Sequence, residues 1–210
     1  MDLTKSIQSY LQELSSDAPT PGGGNVAALS ATLACSLGIM VCNLTIGKKK
    51  YIDVDEEMKK VKTELEDFKS CFIELAQKDN IAFDEVMKAF KLPKETEEDK
   101  KNRSEKIQEA TFAAAVVPSE VIETCKKVLP LIETVALKGN KNSVSDAGVA
   151  LSLLSTGAEG ALLNVVINCT SLSNRTIGNE LLKKSEILCD EIKSGTSKAI
   201  ANIKSSLMDS

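Results

Sequence analysis

The stretch MKKVKTELEDFKSCFIELAQKDNIAFDEV, residues 58–86, decides the fold. Its apolar positions fall at Met58, Val61, Leu65, Phe68, Phe72 and Leu75, and resume at Ala82 and Val86. Steps of three and four keep these side chains on one face of an α-helix turned toward a core. Between the two groups, on the same face, stands Asp79. An isolated buried charge is very costly, so this carboxylate must be neutralised, hydrogen-bonded or paired. A reactive group fits that position, and so does a core Asp that caps or bonds a neighbouring helix. Spacing alone leaves both readings open.

Outward from this helix, which runs from about residue 53 to 90 and stops before Pro93, the chain reads as helix throughout. Thr96 with Asp99 offers a capping box for a helix expected to reach about Val117, with Pro118 and Pro130 as helix starts or kinks. Residues 25–46 carry no charge, and Glu159 is the only charge in residues 147–171. Length alone would let residues 25–46 span a membrane. Ser30, Thr32, Ser36, Gly38, Asn43 and Thr45 instead predict a helix buried among other helices, with no membrane partner. Short amphipathic sequence at 3–15 (Leu3, Ile7, Leu11, Leu14) and one or two helices over 175–207 complete the pattern. No sustained period-two alternation suggests a strand. The expected architecture is all-α: one domain over residues 1–210, a helical bundle with two central apolar helices surrounded by amphipathic ones.

Composition narrows the chemistry. Apolar residues make up 42% of the chain but aromatics only 3%, so Ala, Leu, Val and Ile must fill the core. The net charge of −4 and a single basic run, Lys48-Lys49-Lys50, argue against a nucleic-acid partner. Acidic and Pro/Gly-rich residues precede the first apolar stretch, where a cleavable leader would carry basic ones. The six cysteines form no CxxC pair and read as small buried thiols of a cytoplasmic protein, not as metal ligands or disulfides. Histidine is absent, so any acid–base chemistry falls to Asp, Glu, Lys or water.

Four further features could carry a site. Pro21-Gly22-Gly23-Gly24 opens the first apolar helix, where free N–H groups attract anions and glycines admit close approach. A tight turn between packed helices explains it equally well. Gly47-Lys48-Lys49-Lys50-Tyr51 lies at the other end of that helix, where lysines either complement the helix dipole or bind carboxylates. Ser145 and Asp146 open the second apolar helix, with Ser143 or Ser145 as its cap. Asn164 and Asn168 share a face with Gly160 and Ala161, suited either to a heterocycle or to joining helices.

In order, PTPGGGNVAAL, NLTIGKKKY, the stretch from Asp79 to KLPKETEEDKK, and GNKNSVSDAGVA followed by GALLNVVIN resemble one family. It is the formimidoyltetrahydrofolate cyclodeaminase and methenyltetrahydrofolate cyclohydrolase family, found as stand-alone bacterial proteins and as half of a fused transferase–cyclodeaminase. The resemblance runs from about residue 3 to 205. It implies an all-helical fold, a homodimer and a site for a tetrahydrofolate derivative. Its Gly-rich turn falls on Gly22, Gly23 and Gly24, its basic segment on Lys48 and Lys49, and its acidic position on Asp79. The Ser-Asp pair falls on Ser145 and Asp146, and the amide pair on Asn164 and Asn168. Asn25, where many relatives have Ser, and Glu159 depart from the family pattern.

Both reactions implied by the resemblance pass through a tetrahedral carbon between N5 and N10 of the folate. Asp79 is expected to be the base and the anion beside the cationic bridge, Asp146 to orient the pterin or nucleophile, and Lys48 to contact an anion or donate a proton. Gly22, Gly23, Gly24 and Lys49 would hold the glutamate tail, Ser145 would stand beside Asp146, and Asn164 or Asn168 would meet the ring edge. No metal and no cofactor beyond the folate substrate is expected. With no transferase half present, cyclohydrolase is favoured over cyclodeaminase. The rival outside enzymology is a folate-binding helical dimer without turnover.

Overall fold

The computed structural model describes residues 5–208, and all the regular structure in them is helical: α1 (Ile7–Leu14), α2 (Gly23–Thr45), α3 (Asp55–Phe90), α4 (Glu97–Lys138), α5 (Val144–Thr170) and α6 (Arg175–Met208). Leu3, the first position of the amphipathic stripe read at the N-terminus, lies outside the described residues. Helices α2, α3, α4 and α5 pack in a ring, each against the next, and α6 lies outside against α4 and α5. The apolar pair α2 and α5 are neighbours, and α2 is enclosed by α3, α5 and α4.

The stripe read from the sequence is the inner face of α3. Met58, Leu65 and Phe72 are fully buried, with Val61 and Leu75 beside them. With so few aromatics, the remaining core is built from small and branched side chains, and the helices approach closely. Gly157 of α5 sits against α2 so tightly that a Cβ there would meet the Ala27 carbonyl oxygen at 2.9 Å and the Ala31 nitrogen at 3.2 Å. Backbone cannot rotate aside as a side chain can. Gly157→Ala is therefore expected to destabilise the protein by about 1–3 kcal/mol, measurable as a lowered denaturant midpoint. Gly148→Ala, whose Cβ would lie 3.6 Å from the flexible end of Ile203, is expected to cost nothing.

Two local expectations are corrected, and one alternative is decided. Helix α4 does not stop near Val117 but continues through Pro118 and Pro130 to Lys138. A proline inside a helix removes the N–H that would bond the carbonyl four residues earlier. For Pro118 that carbonyl belongs to Ala114, and the Asn168 side chain of α5 donates to it at 3.0 Å. The lost bond is replaced from a neighbouring helix. Neither Ser143 nor Ser145 caps α5 through its side chain; a 3₁₀ turn over Lys141–Ser143 leads in, with the Asn142 N–H bonded to the Asn140 side chain. Residues 175–207 form one helix, not two. The Thr96–Asp99 capping box forms reciprocally, as its sequence predicts.

All six cysteines are free, five of them buried. Burial pushes the Cys35 thiol up to about 12 and Cys42 to about 11, so both stay protonated and unreactive.

Candidate functional site

The glycine turn and Asp79 meet. Gly22 is the N-cap of α2 and has no side chain to satisfy the open N–H groups of its first turn. Asp79, reaching across from α3, accepts the backbone N–H of Asn25, so α2 is capped by a neighbouring helix. Gly24 makes room for this contact. A Cβ on it would come within 2.7 Å of the Asp79 carboxyl carbon and Oδ2. Asn164 of α5 closes the same corner, with its Nδ2 positioned 3.6 Å from where a Gly23 Cβ would stand.

Opposing effects act on the Asp79 charge. Burial disfavours the ionised form and is the larger, so the carboxyl titrates above its ordinary range; the Asn25 N–H draws it back down. A carboxylate at a helix N-terminus also gains from the helix dipole. A group so balanced can exchange a proton closer to neutral pH than a surface Asp.

Around it lie polar groups that the sequence reading passed over as a set. Fully buried Asn25 donates through Nδ2 to the Ala76 carbonyl at 3.0 Å and to Asn80 Oδ1 at 3.4 Å. Its Oδ1 accepts from the Tyr10 hydroxyl at 3.0 Å. Nothing local in SIQSYLQEL marks Tyr10, because the contact exists only once α1 folds back over the Pro19–Pro21 turn. Asn164 and Asn168 divide their work. Asn164 bonds the Gly160 carbonyl of its own helix and faces the glycine turn. Asn168 spends its amide donor on the carbonyls of Ala114 and Asn164, joining α5 to α4.

The remaining candidates gather elsewhere. Helices α2 and α5 run antiparallel: Gly157 and Gly160 meet Ala27 near the start of α2, whereas the Asn140 N–H bonds Thr45 at its end. Lys48, Lys49, Ser145 and Asp146 therefore lie at the end of the bundle opposite Asp79, about 30 Å away at roughly 1.5 Å per residue of α2. Gly47, with φ of 74°, starts the lysine turn and donates its N–H to Asp55 Oδ1 at 2.6 Å. Asp55 also pairs with Lys59, and these contacts hold its carboxyl below the usual range. Tyr51 and Asn140 tie the turn to the start of α5. Lys48, Lys49 and Ser145 are exposed, and Asp146 occupies the first turn of α5 half-buried. Glu159 accepts from Ser155 and pairs with Lys193 of α6.

The chain thus holds two polar ends: a half-buried carboxylate with amides and open helix N–H groups, and a solvated cationic turn beside Asp146. The sequence profile of the family described as Formiminotransferase-cyclodeaminase matches residues 6–187. A methenyltetrahydrofolate cyclohydrolase of Methylorubrum extorquens is 42% identical over 96% of this chain and 97% of its own. The formimidoyltransferase-cyclodeaminase of Sus scrofa is 32% identical over 91% of this chain, which spans only 35% of that longer protein. The crystal structure of a formiminotetrahydrofolate cyclodeaminase from Thermotoga maritima superposes with a TM-score of 0.81, at 32% identity over 95% of this chain and 97% of that one. By profile, by sequence identity and by fold, the chain belongs to the formiminotransferase-cyclodeaminase family.

Proposed function

We propose that this protein is a folate one-carbon enzyme, a methenyltetrahydrofolate cyclohydrolase, with its chemistry at the Asp79 end of the bundle. The observation that carries the reading is a half-buried carboxylate packed against a glycine-lined helix start. The substrate supplies the matching charge, a 5,10-methenyl cation. Water attacks the bridging carbon and Asp79 takes the proton released, giving a neutral carbinolamine. As that adduct collapses, its hydroxyl becomes the formyl carbonyl, the C–N5 bond breaks and N5 gains a proton. One proton leaves to solvent for each bridge opened. The ionised Asp79 opposes the positive charge before attack and acts as acid or base after it. In this reading Asn164 and the N–H groups of Gly23 and Gly24 orient the ring. No redox step occurs, and no metal or further cofactor is invoked.

Cyclodeamination is the second reading, favoured by the name of the Thermotoga maritima relative. There N10 attacks a formimidoyl carbon and ammonia departs, through the same kind of tetrahedral adduct. Purified protein supplied with 5,10-methenyltetrahydrofolate is expected to consume the methenyl absorbance faster than buffer does. With 5-formimidoyltetrahydrofolate that absorbance should not accumulate. The opposite pattern assigns cyclodeamination, and no turnover of either substrate would leave a folate-binding dimer.

The working unit we propose is a cytoplasmic homodimer. Helix α5 supports it: Val149, Leu163 and Ile167 are 51%, 70% and 65% exposed along one stripe that runs from the Asp146 end to the Asn168 end. Two such stripes packed antiparallel would bring Lys48, Lys49, Ser145 and Asp146 of the partner subunit toward Asp79 and Asn164. Asp146 would then orient the pterin and the lysines would meet the glutamate tail. Sedimentation should give twice the monomer mass, and Leu163→Glu with Ile167→Lys should return it to one.

A further inference from the structure

The hydrogen bonds around Asp79 run through Asn25 to a third helix, α1. Asn25 grips α3 on both sides of Asp79, at the Ala76 carbonyl three residues before it and at the Asn80 side chain one residue after. The same residue's backbone N–H is the donor that Asp79 accepts. Its amide is fully buried, so its orientation is set by the protein alone. Among the described residues, one group outside α2 and α3 holds that amide by its oxygen: the Tyr10 hydroxyl of α1. Without that donor the amide oxygen is left unpaired, and a half-rotation that presents Nδ2 elsewhere releases Ala76.

We propose that Tyr10 and Asn25 are positioning residues for the reaction: the Tyr10 hydroxyl fixes the Asn25 amide, and Asn25 fixes the angle and the hydrogen bonding of the Asp79 carboxylate. Helix α1, which buries no side chain fully, then has a defined task. Burial pushes the Tyr10 phenol above its ordinary titration range, so it remains a donor throughout the working pH range. Asn25 is fully buried, so it acts on the reaction through Asp79 and not by contact with the folate. The inference rests on the reading of Asp79 as the base.

The test compares Tyr10→Phe, which removes only the hydroxyl, with Asn25→Asp, which keeps the shape but replaces the amide donor by a second carboxyl. Two readouts are taken on the full chain: the Asp79 carboxyl titration by carbon-detected NMR, and the pH profile of kcat on whichever folate turns over. Tyr10→Phe is expected to raise the Asp79 midpoint by roughly half a pH unit, because the Asn25 N–H is held less firmly. It should lower kcat by about 3- to 10-fold, leaving KM within about twofold. Asn25→Asp should raise the midpoint further, since two adjacent carboxyls resist ionising together. An unmoved midpoint and unchanged kcat profile in both variants, whatever happens to the melting temperature, would reduce the pair to ordinary structural contacts and overturn the proposal. Asp79→Asn separates the two levels. If it abolishes turnover while Tyr10→Phe and Asn25→Asp behave as wild type, only this inference fails. If it turns over normally, the assignment of Asp79 fails and this inference with it.

Discussion

Replacing Asp79 by Asn is expected to lower turnover by about 10²- to 10⁴-fold, the range that a positioned acid–base group supplies, without unfolding the protein. The amide oxygen can still accept the Asn25 N–H that the carboxylate accepts, so the start of α2 stays capped. What disappears is the charge and the capacity to carry a proton. Stability should respond in the opposite sense to activity. Burial raises the folded-state pKa of Asp79 above its unfolded value. Its contribution to stability is therefore complete below the unfolded pKa and is lost as pH rises through the folded one. At neutral pH the Asn variant should melt at the same temperature as wild type or higher, and the difference should shrink as the solution is acidified toward the carboxylate range. The wild-type kcat profile should fall on its acid side with a midpoint above that of an ordinary Asp. A variant that loses activity by unfolding would contradict this account.

The second large effect is expected at Gly24. Its Cβ position lies within 2.7 Å of the Asp79 carboxyl carbon, nearer than real side chains approach. Gly24→Ala must push the carboxylate off the Asn25 N–H or shift the first turn of α2 away from α3. A displacement of an ångström at the reacting group costs about 10²-fold in rate, and overpacking of this kind costs about 1–3 kcal/mol in stability. Activity and denaturant midpoint should therefore fall together, in contrast to Asp79→Asn, where activity alone falls. Gly148→Ala, far from Asp79, serves as the comparison.

The sequence was most legible where the determinants are local. The α3 stripe, the Thr96–Asp99 box and the uncharged runs of α2 and α5 each lie within a few turns of one another, and all formed. Pro118 misled because the remedy for its missing N–H is not local. It comes from Asn168, fifty residues onward, which no reading of the proline's surroundings would find. That bond also explains half of the amide pair: Asn168 braces α4, while Asn164 faces the glycine turn. The separation of Lys48 from Gly24 was implicit in their places at opposite ends of α2. Gathering both into one site required a second chain, or a fold that bends α2 back, and α2 is continuous. Of the two readings of Asp79, the cap of a neighbouring helix is the one the structure shows; the reactive role is our proposal. Tyr10 left no trace in the sequence, because its partner is chosen by how α1 docks.

The most direct measurement is a crystal structure of the Asp79→Asn variant with 5,10-methenyltetrahydrofolate bound. The one-carbon bridge should lie within hydrogen-bonding reach of the substituted side chain, against Gly23, Gly24 and Asn164, with the glutamate tail running toward lysines of the partner subunit. A folate seated wholly at the Lys48 turn, with position 79 still packed against Asn25 and nothing bound beside it, would leave that Asp a helix cap and nothing more.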